Sequence, residues 1–199
     1  MQQPQSANPN RRSVRLPSWN YAWKGAYFVT AVTAQRALLF GSIQGDYVCY
    51  SSAGATVDEE WRRSREIRAE ITLASYVVMP THIHAIVWIA SETNPEKSRD
   101  DADTVGATGR SPALPSRPKG PGARSLGALI ASFKAAVTKR VNDRRGTPGA
   151  QIWQRSYYEH IIRDEQELNR IRQYILDNPS LWNDDPENPE RVSSRSRPR

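Results

Sequence analysis

Residues 79–89 read Met79-Pro80-Thr81-His82-Ile83-His84-Ala85-Ile86-Val87-Trp88-Ile89, an apolar, β-branched run carrying two of the chain's three histidines. A run of this composition bounded by Pro-Thr is a buried strand. Alternation sends His82 and His84 to one face, about 7 Å apart along the backbone. Ile83, Ala85, Val87 and Ile89 go to the other face and point at a core. Two imidazoles at that spacing can grip one divalent cation, and they can equally be half-buried polar residues bonded to neighbours. The motif by itself leaves both open.

The rest of the chain organises around that strand. Gly25 to Thr33 is rich in aromatic and β-branched residues and predicts a first strand. Residues 38–52 suggest a short hairpin around Gln44-Gly45-Asp46. Residues 56–69 predict an exposed helix, with Thr56 as N-cap and Glu59 closing a capping box. Ile71 to Met79 predicts the strand that pairs with His82–Ala90 as a hairpin. Leu126, Leu129, Ile130, Phe133, Val137 and Val141 recur at helical spacing. Residues 152–163 predict a strand. Asp164, with Glu167 three residues on, caps a last helix that runs to Asp177, where Pro179 ends it by pushing Asn178 out of helical conformation.

The order β, α, β, β, α, β, α predicts an α+β fold. Its first six elements match a ferredoxin-like (split βαβ) antiparallel sheet with two helices on one face. The histidine strand is then central, on the side those helices leave open, and the additional C-terminal helix can cover part of that side. One domain is expected over residues 25–182. It is preceded by an arm at 1–24, interrupted by a flexible insertion at 91–122, and followed by a polar, extended tail at 183–199.

Twenty-eight Lys and Arg against 21 Asp and Glu leave a net charge of +7, which favours a polyanionic partner, nucleic acid first. In the arm, Arg11, Arg12 and Arg15 precede Trp19, a mixture suited to holding phosphates and stacking unpaired bases. Lys134, Lys139 and Arg140 on the amphipathic helix can lie along a phosphate backbone or form an ordinary solvated face. No apolar run is long enough to cross a membrane. A single cysteine, Cys49, excludes an internal disulfide and makes a reducing cytoplasm the expected compartment. Tyr174 and Asn178, four apart on one helix face, can bring a phenol and an amide oxygen to the open side of the sheet. They can also be a packed tyrosine and a C-terminal cap.

Taken together, several segments resemble the REP-associated tyrosine transposases, relatives of the single-tyrosine HUH insertion-sequence transposases. They are Arg12-Ser13-Val14-Arg15-Leu16-Pro17, Gly25-Ala26-Tyr27-Phe28-Val29-Thr30, Leu39-Phe40-Gly41, Val77-Val78-Met79-Pro80, His82-Ile83-His84, Trp153-Gln154-Arg155, Tyr157 to Arg163, and Tyr174-Ile175-Leu176-Asp177-Asn178-Pro179. The resemblance spans residues 11 to 190 apart from the insertion. It implies an enzyme that nicks and rejoins single-stranded, hairpin-forming DNA repeats with Mg²⁺ or Mn²⁺, through a 5′-phosphotyrosine intermediate. Carried across, Tyr174 is the nucleophile, and His82, His84 and Asn178 are the metal ligands, with His160 an alternative third ligand. Arg155, Tyr157 and Tyr158 join the arm and helix cations as DNA-contacting residues. A monomer is favoured over a homodimer, and a DNA-processing role implies association with the nucleoid. One competing reading is a catalytically inactive single-stranded nucleic-acid-binding protein of the same fold. Another, a two-histidine phosphoesterase, requires a second histidine motif that the chain lacks.

Overall fold

A computed structural model describes residues 24–90 and 124–191. The N-terminal arm with Arg11, Arg12, Arg15 and Trp19, the 91–122 insertion and the last eight residues lie outside the described residues. The elements run β1 (Gly25–Val32), β2 (Gly41–Gln44), β3 (Tyr47–Tyr50), α1 (Ser52–Ile67), β4 (Ile71–Val78), β5 (His82–Ile89), α2 (Leu126–Arg145), β6 (Tyr158–Ile162) and α3 (Glu165–Asp177).

Four strands form one sheet in the order β4-β5-β1-β6, every neighbouring pair antiparallel. Setting aside the small β2–β3 hairpin, this is the strand order of a split βαβ sheet, with the histidine strand β5 in an interior position. Strand parity then divides the molecule. Tyr27, Val29 and Ala31 of β1 and Ile83, Ala85, Val87 and Ile89 of β5 enter the main core with Val57 and Trp61 of α1. The six helical apolar residues anticipated in α2 complete that core, and Trp61 meets Phe133 edge-on at 5.0 Å between ring centroids. On the opposite face Ala26, Phe28, Ile86 and Ile162 pack against Leu168 and Ile175 of α3. The two helices therefore share one face and α3 takes the other.

Local signals explain most boundaries. The turn between β2 and β3 is Gly45-Asp46, and Gly45 has φ +59°, a left-handed conformation that glycine adopts without steric cost. Ser125 and Asp164 cap α2 and α3 by accepting from the amides of Ala128 and Glu167. Gly146 closes α2 with φ 63°.

Three expectations are corrected. Helix α1 begins at Ser52, with Ser51 as its N-cap, and Thr56 sits inside it, donating to the carbonyl of Ser52. Tertiary packing sets this start, because Gly54 lies against the carbonyl of Phe40 so closely that a Cβ there would collide with it. The strand anticipated over 152–163 shortens to Tyr158–Ile162, since Trp153 makes only an isolated bridge to Thr33. Asn178 keeps helical angles (φ −57°, ψ −39°) despite preceding Pro179, so the helix ends where proline can no longer donate.

Gly54→Ala separates packing from propensity. Alanine is better than glycine inside a helix by roughly 1 kcal/mol, but the clash with the Phe40 carbonyl reverses the sign. Urea unfolding is expected to give a loss of about 1–3 kcal/mol, whereas an increase in stability would show that the helix start can shift freely.

Candidate active site

Register places the polar side chains that meet on the α3 face. His84 pairs with Thr30 across β1–β5, and His82 with Val32. Both imidazoles are buried, His82 fully, and their ring centroids are 4.3 Å apart. Each is held through Nδ1: His84 by Thr30 Oγ1 at 2.8 Å, His82 by Thr81 Oγ1 at 3.0 Å. The Thr81 hydroxyl donates its own hydrogen to the carbonyl of Glu187 (3.1 Å). It therefore accepts from His82, which fixes the proton on Nδ1 and leaves Nε2 a lone pair. Burial pushes the His82 pKa down to about 3, while the Asn178 amide beside it pulls the other way. Burial and the neighbouring His82 lower that of His84 as well. Two neutral imidazoles, each with Nε2 directed away from its threonine, are what a cation requires of nitrogen ligands.

Helix α3 supplies the next two groups from one face, four residues apart. Tyr174 Oη lies 3.1 Å from His84 Nε2, with its ring 5.1 Å from the imidazole. Its pKa is raised by burial and by the Asp185 carboxylate, so the phenol is protonated at neutral pH and donates to that nitrogen. Asn178 is buried, and its Nδ2 donates to Asp185 Oδ2 at 3.2 Å. The reverse amide orientation would set two acceptors against each other, which fixes the assignment.

Asp185 is the residue that sequence reasoning missed. It follows a single 3-10 turn at Trp182–Asp184 whose tryptophan packs near His82, with ring centroids 6.3 Å apart. The segment behind it, in the region anticipated as an extended tail, folds back over the histidines. Asp185 Oδ2 comes to 3.8 Å from His82 Nε2. Arg36 fastens the segment by a 2.7 Å ion pair with Glu187. Nothing in the local pattern marks Asp185. The only signal is the apolar pair Leu181-Trp182 just before a polar stretch, an anchor without a visible partner.

Ligand atoms of His82, His84 and Asp185 all lie within 4.8 Å of one another. His82 Nε2 and Asn178 Oδ1 are buried with no hydrogen-bond partner among the described residues. Orphaned buried acceptors are costly, and two of them beside a buried carboxylate fit a divalent cation held by mixed nitrogen and oxygen ligands. The centre opens into a cleft of about 350 Å³ whose walls include Phe28, Thr30, Tyr157, Tyr158, Tyr174 and Glu187.

The other anticipated residues are placed as follows. His160 lies apart from the histidine pair, its Nε2 bonded to Glu167 at 2.7 Å. Tyr157 packs against the main core, whereas Tyr158 is half exposed. Lys134 donates to the carbonyls of Gln154 and Ser156, which border the cleft. Arg140 bridges to Glu59 and Glu60 of α1, and Lys139 to Asp143 on its own helix. Arg155 is exposed beside a shallow groove shared with Lys134 and Lys139.

No family model matches the chain. A Haemophilus influenzae protein that carries only the name "uncharacterized protein" is 32% identical over 176 residues, covering 88% of this chain and 92% of that one. The chain belongs to that protein's family. Family membership thus holds over nearly the whole of both chains. Among solved structures, a REP-associated tyrosine transposase bound to a REP hairpin is similar, with a TM-score of 0.49 at 18% identity, over 92% of this chain and 89% of that one.

Metal binding is testable without activity. At a hundredfold excess over its dissociation constant, a ligand specific to the folded state adds about 2.7 kcal/mol. Mn²⁺ is therefore expected to raise the melting temperature of the protein by several degrees over an EDTA control. In His82→Ala and Asp185→Ala, each compared with its own EDTA control, the increment should vanish. An equal increment in all three proteins would place the ion elsewhere.

Proposed function

We propose that this protein is a metal-dependent single-stranded DNA endonuclease and strand transferase of the HUH tyrosine type, acting on hairpin-forming repeats. The observation that carries the reading is Tyr174 Oη standing 3.1 Å from His84 Nε2, at the edge of a cluster that can bind a cation. A phenol, two neutral imidazoles and a carboxylate converge where a cleft meets the surface. The motif resemblance and the net charge of +7 supply the substrate class.

In this reading His82, His84 and Asp185 would hold Mg²⁺ or Mn²⁺, the one lone pair of His84 Nε2 passing from the Tyr174 hydroxyl to the ion. Asn178 orients Asp185 through Nδ2 and offers Oδ1 as a further ligand. When bound, the ion supplies Lewis-acid polarisation of a non-bridging oxygen of the scissile phosphate. Thr30 and Thr81 keep both imidazoles turned with Nε2 toward the centre. Helix α3 holds the Tyr174 ring, which rests edge-on against Phe28 at 6.2 Å, so that its oxygen stands at the mouth of the cleft. The phenol attacks phosphorus: an O–P bond forms to Tyr174, the P–O3′ bond breaks, the phenolic proton is lost and one proton reaches the departing 3′-oxygen. The product is a 5′-phosphotyrosine and a free 3′-hydroxyl. The bond energy is retained in the adduct, and attack by a 3′-hydroxyl reverses the step and joins strands.

A monomer is proposed as the working unit, with Tyr174 acting beside His84 of its own chain. Tyr157 and Tyr158 line the cleft that Tyr174 borders, and Arg155 with the arm residues Arg11, Arg12, Arg15 and Trp19 are proposed to extend the DNA contact.

The test is a single-stranded palindromic repeat carrying different labels at its 5′ and 3′ ends, incubated with the protein, with and without Mn²⁺, and run on a denaturing gel. A metal-dependent covalent adduct and a fragment ending in a 3′-hydroxyl are expected. Tyr174→Phe should remove the adduct altogether while leaving hairpin affinity within about threefold, an estimate based on the near-neutral effect of most contacts outside hot spots. Tight hairpin binding by the wild type with no adduct would favour the catalytically inactive binding protein instead.

A further inference from the structure

A second cleft, of about 380 Å³, shares Tyr174 with the first but is lined by neither His82 nor His84, and it lies along β6, an edge strand of the sheet. Two elements build it. Strand β6 presents Tyr158 and His160 on the α3 face, opposite Thr30 and Phe28 of β1. Helix α3 presents Glu167, Arg170, Ile171 and Tyr174, whose spacing of three, four and seven places them on one side. Phe28, Tyr158 and Tyr174 border both clefts, so an aromatic ridge separates the candidate metal centre from this second space. The ridge is accessible: Tyr158 is 49% exposed and Tyr174 39%. Phe28 meets each of them edge-on, with centroids 6.2 Å apart in both cases.

We infer that this cleft receives the base of the nucleotide on the 3′ side of the cut, the one that stays covalently attached to Tyr174. The inference rests on the nuclease reading above and adds a specificity subsite to it. Attack on phosphorus places the entering phenolic oxygen and the leaving 3′-oxygen in line. The departing nucleotide therefore lies across the phosphate from Tyr174, in the first cleft. The retained nucleotide leaves phosphorus sideways through its 5′-oxygen, and the space beside the tyrosine ring is the second cleft.

Its walls suit a base better than a phosphate. Glu167 is held ionised: the Arg163 amide and His160 bond its two oxygens and lower its pKa. Arg170 on the same wall offsets that charge, so the cleft has no net charge to hold the backbone, while Tyr158, Phe28 and Ile171 give a flat ring something to stack on. Stacking there also anchors the phosphotyrosine adduct, keeping its sugar in place for the 3′-hydroxyl that reseals the strand.

The probe is a pool of single-stranded hairpin oligonucleotides with random bases flanking the stem, incubated with the full-length protein and Mn²⁺. Adducts that survive detergent are recovered and sequenced, and the preferred member is remade with an abasic site 3′ of the cut. Wild-type adducts should be non-random at that base, and the abasic site should lower adduct yield about tenfold, within the range set by loss of one stacked base. Tyr158→Ala should erase the bias and lose the same factor on the intact strand, with no further loss on the abasic one. Tyr158→Phe should restore both, which a folding defect would not, and melting curves of the variants check this. Unchanged yield on the abasic strand, or a bias that survives Tyr158→Ala, would overturn the subsite. No wild-type adduct on any member of the pool would overturn the nuclease reading, and the subsite with it.

Discussion

Two uncharged imidazoles buried in the middle of a sheet set the terms for everything around them. His82 and His84 are almost wholly shielded from water, so each of their ring nitrogens needs a partner supplied by the fold. Thr30 and Thr81 take the Nδ1 atoms. Tyr174 takes one Nε2, and the other points toward Asp185 and the vacant lone pair of Asn178. This explains why helix α3 must lie across this face, and why the segment after Trp182 must double back. The helix delivers the hydroxyl bonded to His84 Nε2 and the returning segment the carbonyl that Thr81 donates to, while the lone pair of His82 Nε2 is left open to a cation. The main core, with α1 and α2 packed on the other side, is the rigid backing that holds β1 and β5 in the register these partnerships require.

Sequence pattern made much of this accessible, for physical reasons that differ from element to element. Period-two alternation in β5 separated Ile83, Ala85, Val87 and Ile89 from the two histidines, because a strand buried on both faces still has two chemically distinct sides. Helical spacing identified the six residues that α2 gives to the hydrophobic core and put Tyr174 and Asn178 on one face. What stayed hidden depends on contacts remote in sequence. The start of α1 is decided by how near Gly54 can come to Phe40. The shortened β6 reflects main-chain carbonyls at Gln154 and Ser156 that accept from Lys134 instead of entering the sheet. Asp185 is invisible because its role exists only once the chain has returned over a separation of the kind seen in the Thr81–Glu187 bond, 106 residues.

The charges of α2 carry a related lesson. A stripe of Lys and Arg on an amphipathic helix suggests a surface for phosphates, yet Arg140 is engaged by Glu59 and by Glu60, which is itself buried at 6% exposure. Removing that arginine would strand a carboxylate between α1 and α2. Net charge identifies the class of partner, and the pairing of individual cations decides where that partner can lie. The aromatic ridge of Phe28, Tyr158 and Tyr174 lines the cleft at the candidate centre, and Arg140 does not.

The clasp between Arg36 and Glu187 joins the region just after the first strand to nearly the last described residues. A folding chain can therefore close its sheet, with both histidines and the tyrosine in position, before the segment that carries the carboxylate has docked. The centre is completed by a segment whose clasp spans 151 residues, and such contacts form late because their loop-closure entropy must first be overcome. A partly folded copy would thus hold the candidate nucleophile without the full ligand set, and competence to break a strand would arrive only after the fold around it was already in place.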